Sequence, residues 1–123
     1  MKKLIYTLLI IIALTNNSFA AGSSSDSDST PKASDYTKAK NLINAAKKYE
    51  KKGKIDKAQE RYAKAQKLLL KSNEIKPLQA DTLNYLGFTT RKLGDYEKGE
   101  KFYLLGLQVE PNHNGINEYL GEL

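Results

Sequence analysis

The chain has 123 residues, a net charge of +6 and 28% charged residues, with no cysteine, no tryptophan and one histidine. A disulfide scaffold, a metal–thiolate site, a cysteine nucleophile and the acylated cysteine of a lipoprotein are thereby excluded. A single histidine also leaves the common histidine-based metal and catalytic groupings without a partner.

Residues 1–20 read as a signal peptide. Lys2 and Lys3 form a basic start, Leu4–Leu14 is an apolar run of 11 residues, and Ser18-Phe19-Ala20 puts small residues at the cleavage positions. Cleavage is predicted after Ala20. The apolar run is shorter than the roughly 20 residues a spanning helix needs, so no transmembrane span is expected after cleavage. The implied location is the periplasm or the medium. Residues 21–33, rich in Ser and Asp, bury too little apolar surface to order and are predicted to form a disordered tether.

Five helices and no strand are predicted beyond the tether, within one domain over 34–123. The first runs from Ser34-Asp35 to Lys52, with Leu42, Ile43, Ala45, Ala46 and Tyr49 on one stripe. Gly53 ends it. The second starts at Ile55-Asp56 and reaches Asn73 or Ile75, with Ala58, Tyr62, Ala65 and Leu69 inward. The third starts between Pro77 and Asp81 and ends at Leu93; Leu83, Leu86 and Phe88 supply bulk, and Gly87 marks a close helix crossing. The fourth covers Tyr96–Val109, with Phe102, Tyr103, Leu105, Gly106 and Val109 inward. The fifth runs from 112–114 to Leu123.

The second half repeats itself. Tyr85-Leu86-Gly87 returns 34 residues later as Tyr119-Leu120-Gly121. Shifted upstream by 41, Leu42, Ala46, Tyr49, Gly53, Ala58 and Tyr62 align with Leu83, Gly87, Thr90, Gly94, Gly99 and Tyr103. The surplus of seven residues is about two helical turns, which lengthens the second helix without rotating its stripe, or forms a loop through Lys76-Pro77.

With Leu83, Leu86, Gly87, Gly94, Asp95, Tyr96, Tyr103 and Pro111, residues 80–113 resemble a tetratricopeptide (TPR) repeat. Residues 39–72 resemble a divergent repeat and 114–123 the first helix of a third. The resemblance implies an all-α helix–turn–helix solenoid of about 2.5 repeats. Gly99 and Gly106 stand where alanines are usual, which costs about 2 kcal/mol together and predicts a soft fourth helix unless packing compensates. Leu83–Leu93 and the closing Ile-Asn-Glu-Tyr-Leu-Gly-Glu-Leu are similar to small exported bacterial TPR proteins of uncharacterised role, whose chains continue past this point. The chain then reads either as truncated after Leu123 or as capped by the fifth helix. Ile116, Leu120 and Leu123 are expected partly uncovered, open to self-association through the C-terminal end.

No catalytic constellation emerges. His113 lies in Pro-Asn-His-Asn-Gly and is expected as a solvated loop residue, while Asp95 and Glu97 sit at a helix start, where capping accounts for them. No enzyme activity, cofactor or metal is expected. The resemblance implies a concave groove lined by the first helix of each pair. The corresponding positions are Lys40, Ile43, Lys47 and Lys51, then Asp81, Asn84, Phe88, Arg91 and Lys92, then Glu118 and Glu122. Lys47, Asn84, Phe88, Arg91, Lys92 and Glu118 are the candidate peptide-binding residues. Asn84 suits a peptide backbone, Phe88 an apolar contact and Arg91 a carboxylate; alternatively Phe88 is core and its polar neighbours are solvated. Ile43 and Lys47 occupy the places where a groove for chaperone tails carries lysine and asparagine, which argues against that ligand.

The expected function is a non-catalytic protein–protein, peptide-binding scaffold in the cell envelope. Charge suggests an alternative. Residues 38–71 hold 12 Lys/Arg against three acids, whereas 74–123 hold five against eight. The lysine-rich first pair could bind an anionic polymer or lipid surface electrostatically. Nucleic acid is not expected, because the lysines are not interleaved with exposed aromatics.

Overall fold

A computed structural model of the chain describes residues 33–121. The segment read as a signal peptide, the predicted tether up to Lys32, and Glu122 and Leu123 lie outside the described residues. Within them are five helices and no strand: α1 (Asp35–Lys51), α2 (Ile55–Ile75), α3 (Ala80–Lys92), α4 (Tyr96–Val109) and α5 (Asn114–Gly121). None is long and apolar enough to cross a membrane.

Local chemistry sets the helix ends. The Ser34 side chain accepts the Thr37 N–H at 3.1 Å and caps α1. The Asp95 carboxylate does the same for the Lys98 N–H, also at 3.1 Å, at the start of α4. The α1–α2 and α3–α4 reversals are copies of each other. Gly53 and Gly94 take φ of 71° and 99°, a region open to glycine. The N–H of Gly53 then reaches the Glu50 carbonyl and that of Lys54 the Tyr49 carbonyl; Gly94 and Asp95 repeat this on Arg91 and Thr90.

Each reversal makes an antiparallel hairpin. Asp35, opening α1, pairs at 3.3 Å with Lys71 near the end of α2, while Glu50 near the end of α1 accepts the Tyr62 hydroxyl at 2.9 Å. In the second hairpin Gly87 faces the Tyr103 ring, and Gly106 lies by Leu83 and the Ala80 carbonyl. Two glutamines tie the hairpins together. Gln66 donates to the Thr90 hydroxyl and Gln59 to the Lys92 carbonyl, each at 2.9 Å. Thr90 is fully buried, and its hydroxyl is satisfied by this link.

The core runs through all five helices. Ala39, Ile43 and Ala46 of α1 meet Ala58, Tyr62, Ala65 and Leu69 of α2, and Leu83, Leu86, Tyr103 and Ile116 continue it. An aromatic series crosses it: Tyr62 meets Phe88 edge-on at 5.7 Å, Phe88 meets Tyr119 at 5.1 Å, and Tyr119 stacks on Tyr103 at 5.8 Å. The seven-residue surplus lengthens α2 to 21 residues, followed by a short connection in which Leu78 takes φ 58°.

Three expectations are corrected by the packing. Leu105 and Val109 are 36% and 45% exposed, because the inward stripe of α4 is Gly99, Tyr103 and Gly106. Ile43 is core rather than groove-facing. Ile116 is fully buried against Gly106, so it does not contribute to an uncovered end. Close packing, the exception allowed for in the expectation of a soft fourth helix, is present at both glycines of α4. Gly99 lies where a Cβ would come within 2.9 Å of the Gly87 carbonyl oxygen, and Gly106 leaves no room for a Cβ beside the Ile116 side chain.

Candidate functional site

The end of α3 carries a lysine held by three elements. Lys92 Nζ lies 3.1 and 3.2 Å from the Glu50 carboxylate oxygens and within 6 Å of the Tyr62 and Phe88 ring centres. The Tyr62 hydroxyl donates to the same carboxylate. Burial, then the hydrogen bond to Glu50 and its charge, hold the Tyr62 hydroxyl far above the ordinary phenol range. The Glu50 carboxylate is thus paired within the molecule, with Lys92 and the Tyr62 hydroxyl.

Beside this cluster is a cleft of about 240 Å³ lined by Phe88, Arg91, Lys92, Tyr96 and Tyr119. Its volume suits a side chain or a chain terminus better than a cofactor. Its floor is the Phe88–Tyr119 pair, and the Phe88 side chain is only 6% exposed, a core ring whose edge reaches the cleft. Arg91 forms no ion pair among the described residues. Gly99 permits the position: its ideal Cβ would lie 3.2 Å from the Arg91 Cβ, so α4 closes tightly behind it. Tyr96, 63% exposed, stands at the rim.

The sequence-derived candidates divide between places. Phe88, Arg91 and Lys92 line the cleft. Lys47 of α1 does not line it, but its Nζ lies 4.7 Å from the centre of the Phe88 ring. Asn84 is elsewhere: it is buried next to Gly115 at the start of α5, its Oδ1 without a hydrogen bond. Glu118 is exposed on α5 and does not line the cleft. Tyr96 and Tyr119 escaped the reading of the sequence, although Tyr119 is the repeat of Tyr85 and Tyr96 follows the Gly94-Asp95 turn.

His113 is not a solvated loop residue. Its side chain is 11% exposed, its Nδ1 accepts the Ile116 N–H at 3.2 Å, and its Nε2 lies 2.6 Å from Asp81. It caps α5 and ties it to α3, so the neutral tautomer carries its proton on Nε2. Neighbours in space but 32 residues apart in sequence, the two side chains meet only because α5 packs on α3. Among the described residues no three His, Cys, Asp or Glu side chains gather as metal ligands.

Against known proteins, no family model matches the chain and no curated protein matches it.

Proposed function

We propose that the two hairpins and α5 form a TPR-type solenoid of about 2.5 repeats, over 39–72, 80–113 and 114–123, and that it is a non-catalytic scaffold for binding a protein segment. In this reading the chain is exported by a signal peptide cut after Ala20 and works in the periplasm or medium. Support for the repeat comes from the two corresponding turn hydrogen bonds of the reversals, Gly53 to Glu50 and Lys54 to Tyr49 against Gly94 to Arg91 and Asp95 to Thr90, and from the 41-residue alignment of the sequence. Some exposed apolar surface on α4, at Leu104, Leu105 and Val109, favours self-association at the C-terminal end.

The observation that carries the binding reading is Arg91: a guanidinium with no ion pair among the described residues, beside an aromatic floor and an exposed tyrosine. Such a cleft suits a carboxylate held bidentately, with an apolar side chain of the same peptide against Tyr96 and Tyr119. Lys92, already engaged by Glu50, supports the field without being free to grip. Fluorescence anisotropy with peptides bearing acidic or free C-terminal groups tests this. Arg91→Gln should weaken a bound peptide by about tenfold or more, since charged hydrogen bonds are worth about 1.5–3 kcal/mol. Peptides that bind equally well to Arg91→Gln and Tyr96→Ala would place the site outside this cleft.

A further inference from the structure

The two reversals share one end of the domain. Gln59, one turn into α2, donates to the Lys92 carbonyl at the end of α3, and Lys92 itself reaches Glu50. Each reversal sets a large side chain at the first helical position after its turn. Ile55 opens α2 and is 53% exposed; Tyr96 opens α4 and is 63% exposed.

Charge around Ile55 is one-sided. Between residues 48 and 57 there are five lysines and two acids. One acid, Glu50, is turned onto Lys92 and Tyr62. Lys48, Lys51, Lys52 and Lys54 are exposed and form no ion pair among the described residues. By the second reversal Asp95 is occupied in capping α4. The opposite end differs. There Asp35 pairs with both Lys38 and Lys71, and Glu74 and Asp81 accompany Lys76, so the exposed Ile75 and Leu78 sit in balanced charge.

We propose that the reversal end docks on a bilayer surface bearing anionic phospholipids, with Ile55 and Tyr96 at headgroup depth. The uncompensated lysines supply attraction, roughly fivefold in partitioning per lysine near such a surface. Ile55 and the amphipathic Tyr96 ring supply what electrostatics alone does not use, an apolar contact with the interface. A soluble polyanion would engage the lysines and leave both side chains in water.

The chain has no tryptophan, so Ile55→Trp and Tyr96→Trp each introduce a single reporter. Ile75→Trp, at the far end of the 21-residue α2, is the control. The vesicles are phosphatidylglycerol mixed with phosphatidylcholine, or phosphatidylcholine alone. On the anionic vesicles the two reporters at the reversal end should shift to the blue and be quenched by brominated lipid, while the Ile75 reporter should not. Replacing Lys48, Lys51, Lys52 and Lys54 together by Gln should lower partitioning on the order of 600-fold, about fivefold for each lysine, and salt should weaken it. Circular dichroism checks that this variant is folded; if it is not, the reporters still decide. The proposal is overturned by reporters that stay in water on bound protein, the signature of simple polyanion binding. Equal burial of the Ile75 reporter, the signature of adsorption through the N-terminal residues, also overturns it, as does the absence of any preference for phosphatidylglycerol.

Discussion

Gly87 is a residue at which the fold tolerates little. A Cβ there would lie 2.5 Å from two carbons of the Tyr103 ring, itself fully buried. Gly87→Ala should therefore destabilise by about 1–3 kcal/mol, and a larger residue by more; urea denaturation with an unchanged midpoint would refute the packing described. His113 offers a second test. His113→Ala removes both the cap on Ile116 and the contact with Asp81, and should cost about 1 kcal/mol, with faster amide exchange in 114–121. His113→Asn should recover part of the loss, because asparagine also caps. The glycine was legible from its place in the repeat. The histidine was not, because its Asp81 partner is remote in sequence and its neighbours read as a turn.

At the level of elements, α1 to α4 follow from stripe, cap and glycine signals, and their ends agree with the sequence to within a few residues. Inward faces were harder. α4 carries apolar residues nearly all round, so composition could not choose between Leu105 and Tyr103; the close approach of α3 through two glycines chose. The first hairpin and α3 meet at tyrosines whose ionisation reports on packing. Tyr36 sits edge-on to Tyr85 at 5.9 Å, and burial, then Asp81 and Tyr85, push its hydroxyl up to about 12. The folded state thus favours the neutral phenol. Its contribution is complete below the ordinary value of 10.0 and is lost as pH rises from there through about 12. An alkaline melt of the Tyr36→Phe variant should lose less stability over that window than the parent protein.

The whole molecule has its cations crowded into one hairpin. Residues 38–71 carry a surplus of nine positive charges, 12 against three, and most of the ion pairs are exposed ones of small individual worth. Self-repulsion should therefore limit stability at low ionic strength. Raising salt from about 0.01 M to 0.15 M shortens the screening length from about 30 to 8 Å and should raise the Tm. A Tm that falls over this range would mean that the Lys92–Glu50 and Asp35 pairs outweigh the repulsion. Light scattering over a concentration series tests self-association: Leu105→Lys should shift any dimer toward monomer, whereas an unaltered mass would exclude α4 as the contact.

Periodicity, caps and the repeat offset were enough to predict an all-helical chain, its order of helices, the long α2 and most of the core, because these depend on neighbours one to seven residues apart. They also placed Phe88, Arg91 and Lys92 on one stretch of α3. Which of these stays available was settled by partners from distant segments. Glu50 takes up Lys92, α5 covers Asn84, Tyr62 and Tyr119 close over Phe88, and Arg91 is left without an ion pair among the described residues. A local pattern specifies which face a side chain leaves from; the charge and bulk it meets there come from other helices, and only their packing supplies them.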